Sequence, residues 1–264
     1  MGWLRYDRRI VTGSIALSVD GAAAYILAGG GTGMAPLDMA ARTGPLGALL
    51  AGTPDMVMPM TWSLGYAAVI FVMWSLMMVA MMVPSAAPTI LLYASLHKDR
   101  GAGGTLAFFG GYLLVWTGFG LMATAAQAAL SAAGQVSAMY MTLATPLLGA
   151  VVLIGAGVYQ LTPLKQACLA SCRGPVEALV RHRRSGRAAA LRMGMAHGRD
   201  CLGCCWALMA LLFIGGVMNI WWILGLSLYV ALEKLAPGGD QLARPLGVAL
   251  ILAGVGMLVL VVLR

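Results

Sequence analysis

Charged side chains are scarce in this chain. Only 10% of its 264 residues are Asp, Glu, Lys or Arg, and the mean hydropathy is +0.87. Soluble domains carry about 25% charged residues, so the composition excludes an ordinary soluble domain. Several apolar runs reach the roughly 20 residues that a helix needs to cross a bilayer. The sequence therefore predicts an all-α fold, a polytopic transmembrane helical bundle that forms one domain over residues 1–264.

Acidic residues are the rarer of the two charged classes, with 9 Asp and Glu against 17 Lys and Arg. The basic residues concentrate in one stretch, 162–200, which is typical of the positive-inside signal and not of nucleic-acid binding. We therefore predict a basic cytoplasmic loop at 162–200 that contacts membrane lipids, and an extracytoplasmic loop at 29–61. The predicted topology is multi-pass, with the N-terminus in the cytoplasm.

Two apolar segments are each too long for one helix that crosses the membrane upright, and too short for two such helices. At 1.5 Å per residue, Trp62–Leu96 would be about 50 Å long as a helix, against about 30 Å of hydrocarbon. Helix breakers occur in both segments, at Pro84 and Pro88 in the first and at Gly215 to Asn219 in the second, Leu202–Leu232. Counted as one tilted or broken helix each, they give six spans: Ile10–Ala28, Trp62–Leu96, Gly103–Gln127, Met141–Leu161, Leu202–Leu232 and Pro245–Leu263.

Six spans allow a 3+3 inverted repeat with two interrupted helices, as in transporters that bind their substrate at matching breaks. The alternative is seven spans, in which the second long segment folds as a hairpin at Asn219.

Cysteine is absent outside one short stretch, which lies at the two edges of the basic loop. Cysteines four residues apart share one helical face, and so do residues at i, i+4 and i+7 or i+8. Two such stripes facing each other would supply three to five soft ligands. The predicted metal ligands of this cluster are Cys168, Cys172, His197, Cys201, Cys204 and Cys205.

The chemistry of these ligands favours copper. Thiolates select Cu(I), zinc or iron–sulfur clusters, and cytoplasmic thiols stay reduced. Structural zinc uses close Cys pairs on loops, and the sequence lacks the usual iron–sulfur runs. The 19 methionines add soft thioethers near the middle of both long segments, although buried methionine is also common packing material. The predicted cofactor is a metal ion, Cu(I) before zinc or iron–sulfur, with further ligands Met77, Met78, Met81, Met82 and Met218.

Three strings together resemble a known family. They are 77–84 (MMVAMMVP), 159–165 (YQLTPLK) leading to Cys168 and Cys172, and 201–209 (CLGCCWALM) continuing to Asn219. These strings are similar to a bacterial family of predicted metal-binding integral membrane proteins, domain of unknown function 2182. The resemblance covers roughly residues 62–235. It implies a metal-binding protein of the bacterial inner (plasma) membrane, without naming the metal or a reaction.

The predicted function is binding of a soft transition metal, with Cu(I) the best candidate, through a Cys/His cluster at the cytoplasmic membrane boundary. The protein would act in metal transport or delivery. The alternative is a membrane subunit or assembly factor of a larger complex, with a structural or redox metal site and a protein partner. No Walker loop, dinucleotide fingerprint or Ser/His/Asp arrangement occurs in the sequence, so no catalytic residue and no enzyme are predicted.

Overall fold

A computed structural model describes residues 2–32, 62–97, 101–136, 141–174 and 186–263 of the chain. Within these ranges the fold is built from helices, with a 3-10 turn at Gly239–Leu242 and an isolated β-bridge between Val136 and Leu143. The α-helices are α1 (Gly2–Leu27), α2 (Leu64–Leu96), α3 (Gly101–Ala132), α4 (Pro146–Gln160), α5 (Pro163–Arg173), α6 (Arg187–Ala210), α7 (Leu212–Gly215), α8 (Ile220–Leu235) and α9 (Ala243–Val262).

The prediction of an all-α transmembrane bundle is confirmed. In the part of the chain that the structure describes, five helical segments are long and apolar enough to cross a membrane: Arg9–Leu27, Leu64–Leu96, Gly101–Ala132, Arg187–Gly215 and Gly239–Val262. A sixth is the pair α4 and α5, which are bent by 62° at a short break. Pro163 begins the second half of this pair, and the Thr162 side chain caps it by accepting a hydrogen bond from the Lys165 N–H.

The first long apolar segment is one continuous helix. The sequence predicts an interruption at Pro84 and Pro88, but α2 runs through both prolines for 33 residues. Each proline removes one backbone donor but keeps φ in the helical range, so the helix can continue through it. In the same stretch, the hydroxyls of Ser85 and Tyr112 both donate to the carbonyl of Met82, at 2.9 Å and 3.2 Å.

The second long apolar segment is interrupted and folds back on itself. Gly216 adopts φ 95°, which favours glycine, and the Asn219 side chain then caps α8 by accepting the Trp221 N–H at 3.0 Å. As a result, Lys234 near the end of α8 returns to within 2.9 Å of Cys201 on α6. The segment therefore folds back at Asn219, as the hairpin alternative predicts. Helix α8 has 16 residues and is not among the helices long enough to cross a membrane, so the described residues give five spans, or six with the bent pair, and not seven.

The predicted inverted repeat requires a break at matching places in both long segments. Only the second segment is interrupted, so the structure lacks these matching breaks in the described residues.

Part of the predicted basic loop is helical. Helix α5 occupies the beginning of this loop. Helix α6 starts within the loop, at Arg187, and continues without a break into the apolar segment that bears the cysteines. Residues 175–185 of that loop, and residues 33–61 of the predicted extracytoplasmic loop, lie outside the described residues.

Close backbone contact between α3 and α6 sets the position of the cysteines. A Cβ at Gly111 would lie 2.1 Å from the Leu191 carbonyl oxygen, and a Cβ at Gly194 would lie 1.8 Å from that of Phe108. Only glycine allows the two helices to approach this closely, as in other small-residue contacts between membrane helices. The contact brings the cysteine-bearing half of α6 into the centre of the bundle.

Candidate metal centre

Four of the five cysteines meet where α5, α6 and α8 come together. All five are free thiols. Cys201, Cys204 and Cys205 are at most 1% exposed and Cys172 is 9% exposed. The cluster therefore lies inside the protein, surrounded by α2, α3, α5 and α8.

The spacing of the α6 cysteines places their sulfurs on one face of the helix. Residues at i, i+3 and i+4 are neighbours on a helical surface. The thiols of Cys204 and Cys205 each contact the Cys201 carbonyl oxygen at 3.0 Å, which fixes their side-chain orientation. From this face, Cys204 Sγ lies 4.0 Å from Cys172 Sγ on α5.

This separation is that of two sulfurs able to share one ion. With metal–sulfur bonds of about 2.3 Å in tetrahedral geometry, two ligand sulfurs lie about 4 Å apart. Cys172 and Cys204 come from different helices and lie 32 positions apart in the chain. Their proximity is therefore a result of the tertiary fold.

A glycine on α6 gives α5 the room to approach. A Cβ at Gly203 would lie 2.7 Å from Cys168 Sγ, so the string Cys201-Leu202-Gly203-Cys204 combines two ligand candidates with a packing site. The Tyr159 hydroxyl donates to the Gly203 carbonyl and holds the end of α4 against the same turn. Cys168 thus packs beside α6, whereas Cys172, one turn later, reaches the sulfurs.

Two polar side chains contact Cys201 that the sequence analysis does not predict. The Lys234 ammonium donates to Cys201 Sγ at 2.9 Å, and the Tyr112 hydroxyl oxygen lies 3.2 Å from the same sulfur. In the sequence, Glu233-Lys234 ends an apolar run and resembles an ordinary membrane-boundary pair. Only the hairpin alternative predicts this contact. If the chain reverses at Asn219, Lys234 returns to the level of Cys201 on α6.

A buried ion pair holds α5 and α8 together beside the thiols. The Lys165 ammonium pairs with the Glu233 carboxylate, and both side chains are fully buried. Arg173 donates to the Glu233 carbonyl oxygen at 2.6 Å and lies 3.7 Å from Asp240. These contacts fix the end of α8, and with it Lys234, relative to the helix that carries Cys172.

The predicted methionines are all buried, and one of them touches the thiols. Met82 Sδ lies 3.8 Å from Cys205 Sγ. At the far end of the bundle, Met218 and its neighbour Met73 pack against Gly30, where a Cβ would lie 3.2 Å from Met218 Cε and 3.0 Å from Met73 Cγ. The exposure of the predicted set is 2% or less for Met77, Met78, Met81, Met82 and Met218.

His197 is not in direct contact with the sulfurs. Its ring is stacked near Tyr112 and Phe108, with ring centroids 5.8 Å and 6.1 Å away. Of the six predicted Cys/His ligands, the fold thus gathers four, and leaves His197 and Cys168 at the sides of the cluster. Within the described residues, no group of three or more His, Cys, Asp or Glu side chains has the geometry to hold a metal ion. The donor set that is in place is a pair of thiols with a third and fourth thiol adjoining it.

Comparison with known families agrees with the soft-ligand chemistry of this cluster. The sequence profile of a family described as copper chaperone, PpoB2, matches residues 71–257, which include every cysteine and both apolar hairpin arms. The chain belongs to this copper chaperone family. The family description agrees with copper as the metal favoured by the sequence. The matched family carries a different name from the one that the resemblance suggested. Neither the curated proteins nor the solved structures include a significant match to the chain.

Proposed function

We propose that the protein binds Cu(I) between Cys172 and Cys204, inside a bundle of membrane-spanning helices, and delivers it along a row of methionines. The observation that carries the proposal is the 4.0 Å separation of these two sulfurs in a member of a copper chaperone family. Cys201 and Cys205 adjoin the pair and are the ligands to which a bound ion moves next.

The number and type of donors support Cu(I) as the ion. Thiolate and thioether ligands select Cu(I) among the first-row metals. Structural zinc sites are almost always four-coordinate, and iron–sulfur clusters take four cysteines. Four thiols adjoin here, but within the described residues no three of them are arranged to hold one ion. The close pair of Cys172 and Cys204 is less than either needs, and no carboxylate of the described residues contacts these two thiols.

Buried thioethers support a role in delivery. Met82 contacts Cys205, and Met73 lies nine residues earlier on the same helix, about 13 Å away. The methionines between them are fully buried. An uncharged thioether holds a soft ion weakly, and weak sites in series suit an ion that must leave again.

The topology that fits this function has the N-terminus and the basic stretch 162–200 on the cytoplasmic side of a bacterial inner membrane, following the positive-inside rule. Copper then enters at the thiols and leaves toward the end of the bundle that contains Gly30 and Met218. Contact of the basic residues with anionic lipids is part of the same proposal.

Copper retention after purification tests the site. The detergent-solubilised protein is loaded with Cu(I), passed over a desalting column and analysed for copper and protein. We expect about one copper per chain, and a loss of at least tenfold in the double variant Cys172→Ser/Cys204→Ser, because both sulfurs of the pair are gone.

Cys168→Ser is the matched control, since Cys168 lies on the same helix but packs on Gly203 away from the pair. It should retain copper as the parent protein does. Full retention in the double variant would refute the site. Tight retention together with no copper movement into vesicles would instead favour the alternative, a membrane subunit or assembly factor with a fixed metal.

A further inference from the structure

A polar cavity lies at the beginning of the last membrane-spanning segment. It encloses about 460 Å³, and the described residues that line it are Gln166 of α5, Asp240 and Gln241 of the 3-10 turn, and Arg244 of α9. Binding pockets for small molecules have volumes of about 300–1,000 Å³. The cavity is therefore large enough for a small polar ligand or for the headgroup of a lipid.

The cavity adjoins a helix face that meets lipid. The segment Gly239–Val262 is apolar enough to cross the membrane, and only 11% of its most apolar stretch is buried inside the protein. Residues spaced three or four apart share one face of a helix. The apolar side chains that follow Arg244 on its face of α9, each between 45% and 66% exposed, are Val248, Leu252, Val255 and Val259. An apolar stripe thus leads from the cavity into the hydrocarbon, along the path that acyl chains take from a headgroup.

Two opposite charges line the cavity one helical turn apart. Arg244 is exposed, and no carboxylate of the described residues forms an ion pair with it. Asp240 lies four positions earlier, and its ion pair with Arg173 is 3.7 Å long with the Asp240 side chain 54% exposed. Exposed ion pairs of this kind are weak. The Asp240 carboxylate is therefore able to accept hydrogen bonds from a ligand.

Backbone packing fixes the wall of the cavity that bears these charges. A Cβ at Gly239 would lie 2.7 Å from the Glu233 carbonyl oxygen, so the 3-10 turn approaches the end of α8 as closely as only glycine permits. At the other end of the turn, the Tyr229 hydroxyl of α8 donates to the Leu242 carbonyl oxygen at 3.1 Å. The positions of Asp240 and Gln241 are thus set by the fold on both sides.

We propose that this cavity binds the headgroup of phosphatidylethanolamine, a phospholipid that carries both a phosphate and a primary ammonium. The Arg244 guanidinium binds the phosphate, because its N–H groups match two phosphate oxygens at once. The ammonium, joined to the phosphate by a short ethylene chain, donates to the Asp240 carboxylate one helical turn away. The side-chain amides of Gln166 and Gln241 donate to the remaining phosphate oxygens.

The charge pattern of the cavity favours this headgroup over two related ones. Phosphatidylglycerol brings the phosphate without a cation, so its headgroup would leave the Asp240 carboxylate beside a second anion. Phosphatidylcholine brings a cation without N–H groups, whereas a primary ammonium has three donors for a carboxylate. Free glycerophosphoethanolamine shares the headgroup chemistry, but it lacks the acyl chains that the stripe above Arg244 contacts.

The test measures binding to the full-length protein in detergent by native mass spectrometry, with the three phospholipids bearing identical acyl chains and with free glycerophosphoethanolamine. We expect phosphatidylethanolamine to bind about tenfold more tightly than any of the other three, equivalent to one hydrogen bond between charged groups. Arg244→Gln should lower its affinity by about the same factor. In Asp240→Asn the preference over phosphatidylglycerol should disappear, because the carboxylate that holds the ammonium is gone.

Arg173→Gln is the matched control for Asp240→Asn, because it removes the same ion pair but leaves the carboxylate in the cavity. It should keep the preference for phosphatidylethanolamine. Arg192→Gln removes an exposed positive charge of α6 outside the cavity and should leave every affinity unchanged.

Three results would overturn the inference. The first is equal binding of the three phospholipids, or of the lipid and its free headgroup, by the parent protein. The second is unchanged binding in Arg244→Gln. The third is loss of the preference in Arg173→Gln as well as in Asp240→Asn, which would assign Asp240 a structural role. None of these measurements involves copper, so the inference and the proposed function stand or fall separately.

Discussion

The side chains around Cys201 provide the candidate metal centre with three features: sulfur atoms, a positive charge and hydrogen bonds. Cys172 and Cys204 bring the close sulfur pair, Lys234 brings a cation, and Tyr112 links the Cys201 sulfur to the Met82 carbonyl of α2. Buried polar groups are normally hydrogen-bonded, and here those partners are also the atoms that hold the thiols in place. Single substitutions in this set should therefore change metal binding before they change the fold.

In the proposed function, Met82 takes part in the delivery of copper but not in its retention. Replacing it by leucine keeps the volume and the apolar character of the side chain but removes the sulfur that lies 3.8 Å from Cys205 Sγ. For Met82→Leu we expect normal copper retention and a transfer rate into vesicles or to an acceptor chelator that falls about tenfold, equivalent to a lost interaction of about 1.4 kcal/mol in the rate-limiting step. Stopped-flow transfer of Cu(I) measures this rate.

The exposed Met122 on α3 provides the comparison for this substitution, because it is 68% exposed and far from the thiols in sequence and on its helix. Met122→Leu should transfer copper at the parent rate. Equal rates in both variants would show that the buried thioether next to Cys205 plays no part in delivery.

The residues of the cluster could be predicted only where local geometry decides their position. The i, i+3, i+4 spacing of Cys201, Cys204 and Cys205 fixes one helical face, and the structure keeps it. Lys234 was missed because its contact depends on a fold-back between α6 and α8. His197 was expected among the ligands from the same spacing, but aromatic rings of α3 occupy its side of the helix.

At the scale of helices, the close approach of α3 and α6 determines whether the cysteines reach α5. The backbones touch at Gly111 and Gly194, where no side chain fits. Helix packing in membranes relies on such small residues because lipid supplies no hydrophobic driving force between helices. The site is therefore as sensitive to α3, which has no cysteine, as to α6.

Adjacent glycines of α3 test this contact. A Cβ at Gly111 would lie 2.1 Å from a backbone oxygen of α6, whereas a Cβ at Gly110 meets nothing within 4 Å. Gly111→Ala should lower the free energy of unfolding by about 1–3 kcal/mol, the usual cost of overpacking, and reduce copper retention. Gly110→Ala should be neutral or stabilising by up to about 1 kcal/mol, because alanine favours a helix over glycine. Unfolding in mixed detergent micelles measures both, and equal stability of the two variants would contradict the described packing.

The two long apolar segments show why helix breakers alone do not predict topology. Prolines at 84 and 88 remove donors but keep φ in the helical range, so tertiary contacts can carry the helix through them. In the second segment, Gly216 adopts a positive φ and Asn219 caps a new helix, so the chain reverses its direction there. Both outcomes depend on what packs against the break, and a single sequence does not contain that information.

On the scale of the whole molecule, the thiol cluster and the Met73–Met218 pair lie at opposite ends of a bundle in which both methionines are fully buried. The thiols lie at the level of Met82, where α5 and the end of α8 converge. The opposite end has the Gly30 turn seated on Met73 and Met218. In the proposed function, the protein receives a soft ion at the thiols and releases it at the opposite end.

Copper-edge X-ray absorption on the Cu(I)-loaded protein tests the central claim, that sulfurs from α5 and α6 hold the ion together. The account predicts bonding neighbours that are sulfur alone in the parent protein, and a lower sulfur count with weaker copper retention in both Cys172→Ser and Cys204→Ser. Nitrogen or oxygen as the main neighbours in the parent protein, or a spectrum that neither substitution changes, would contradict it.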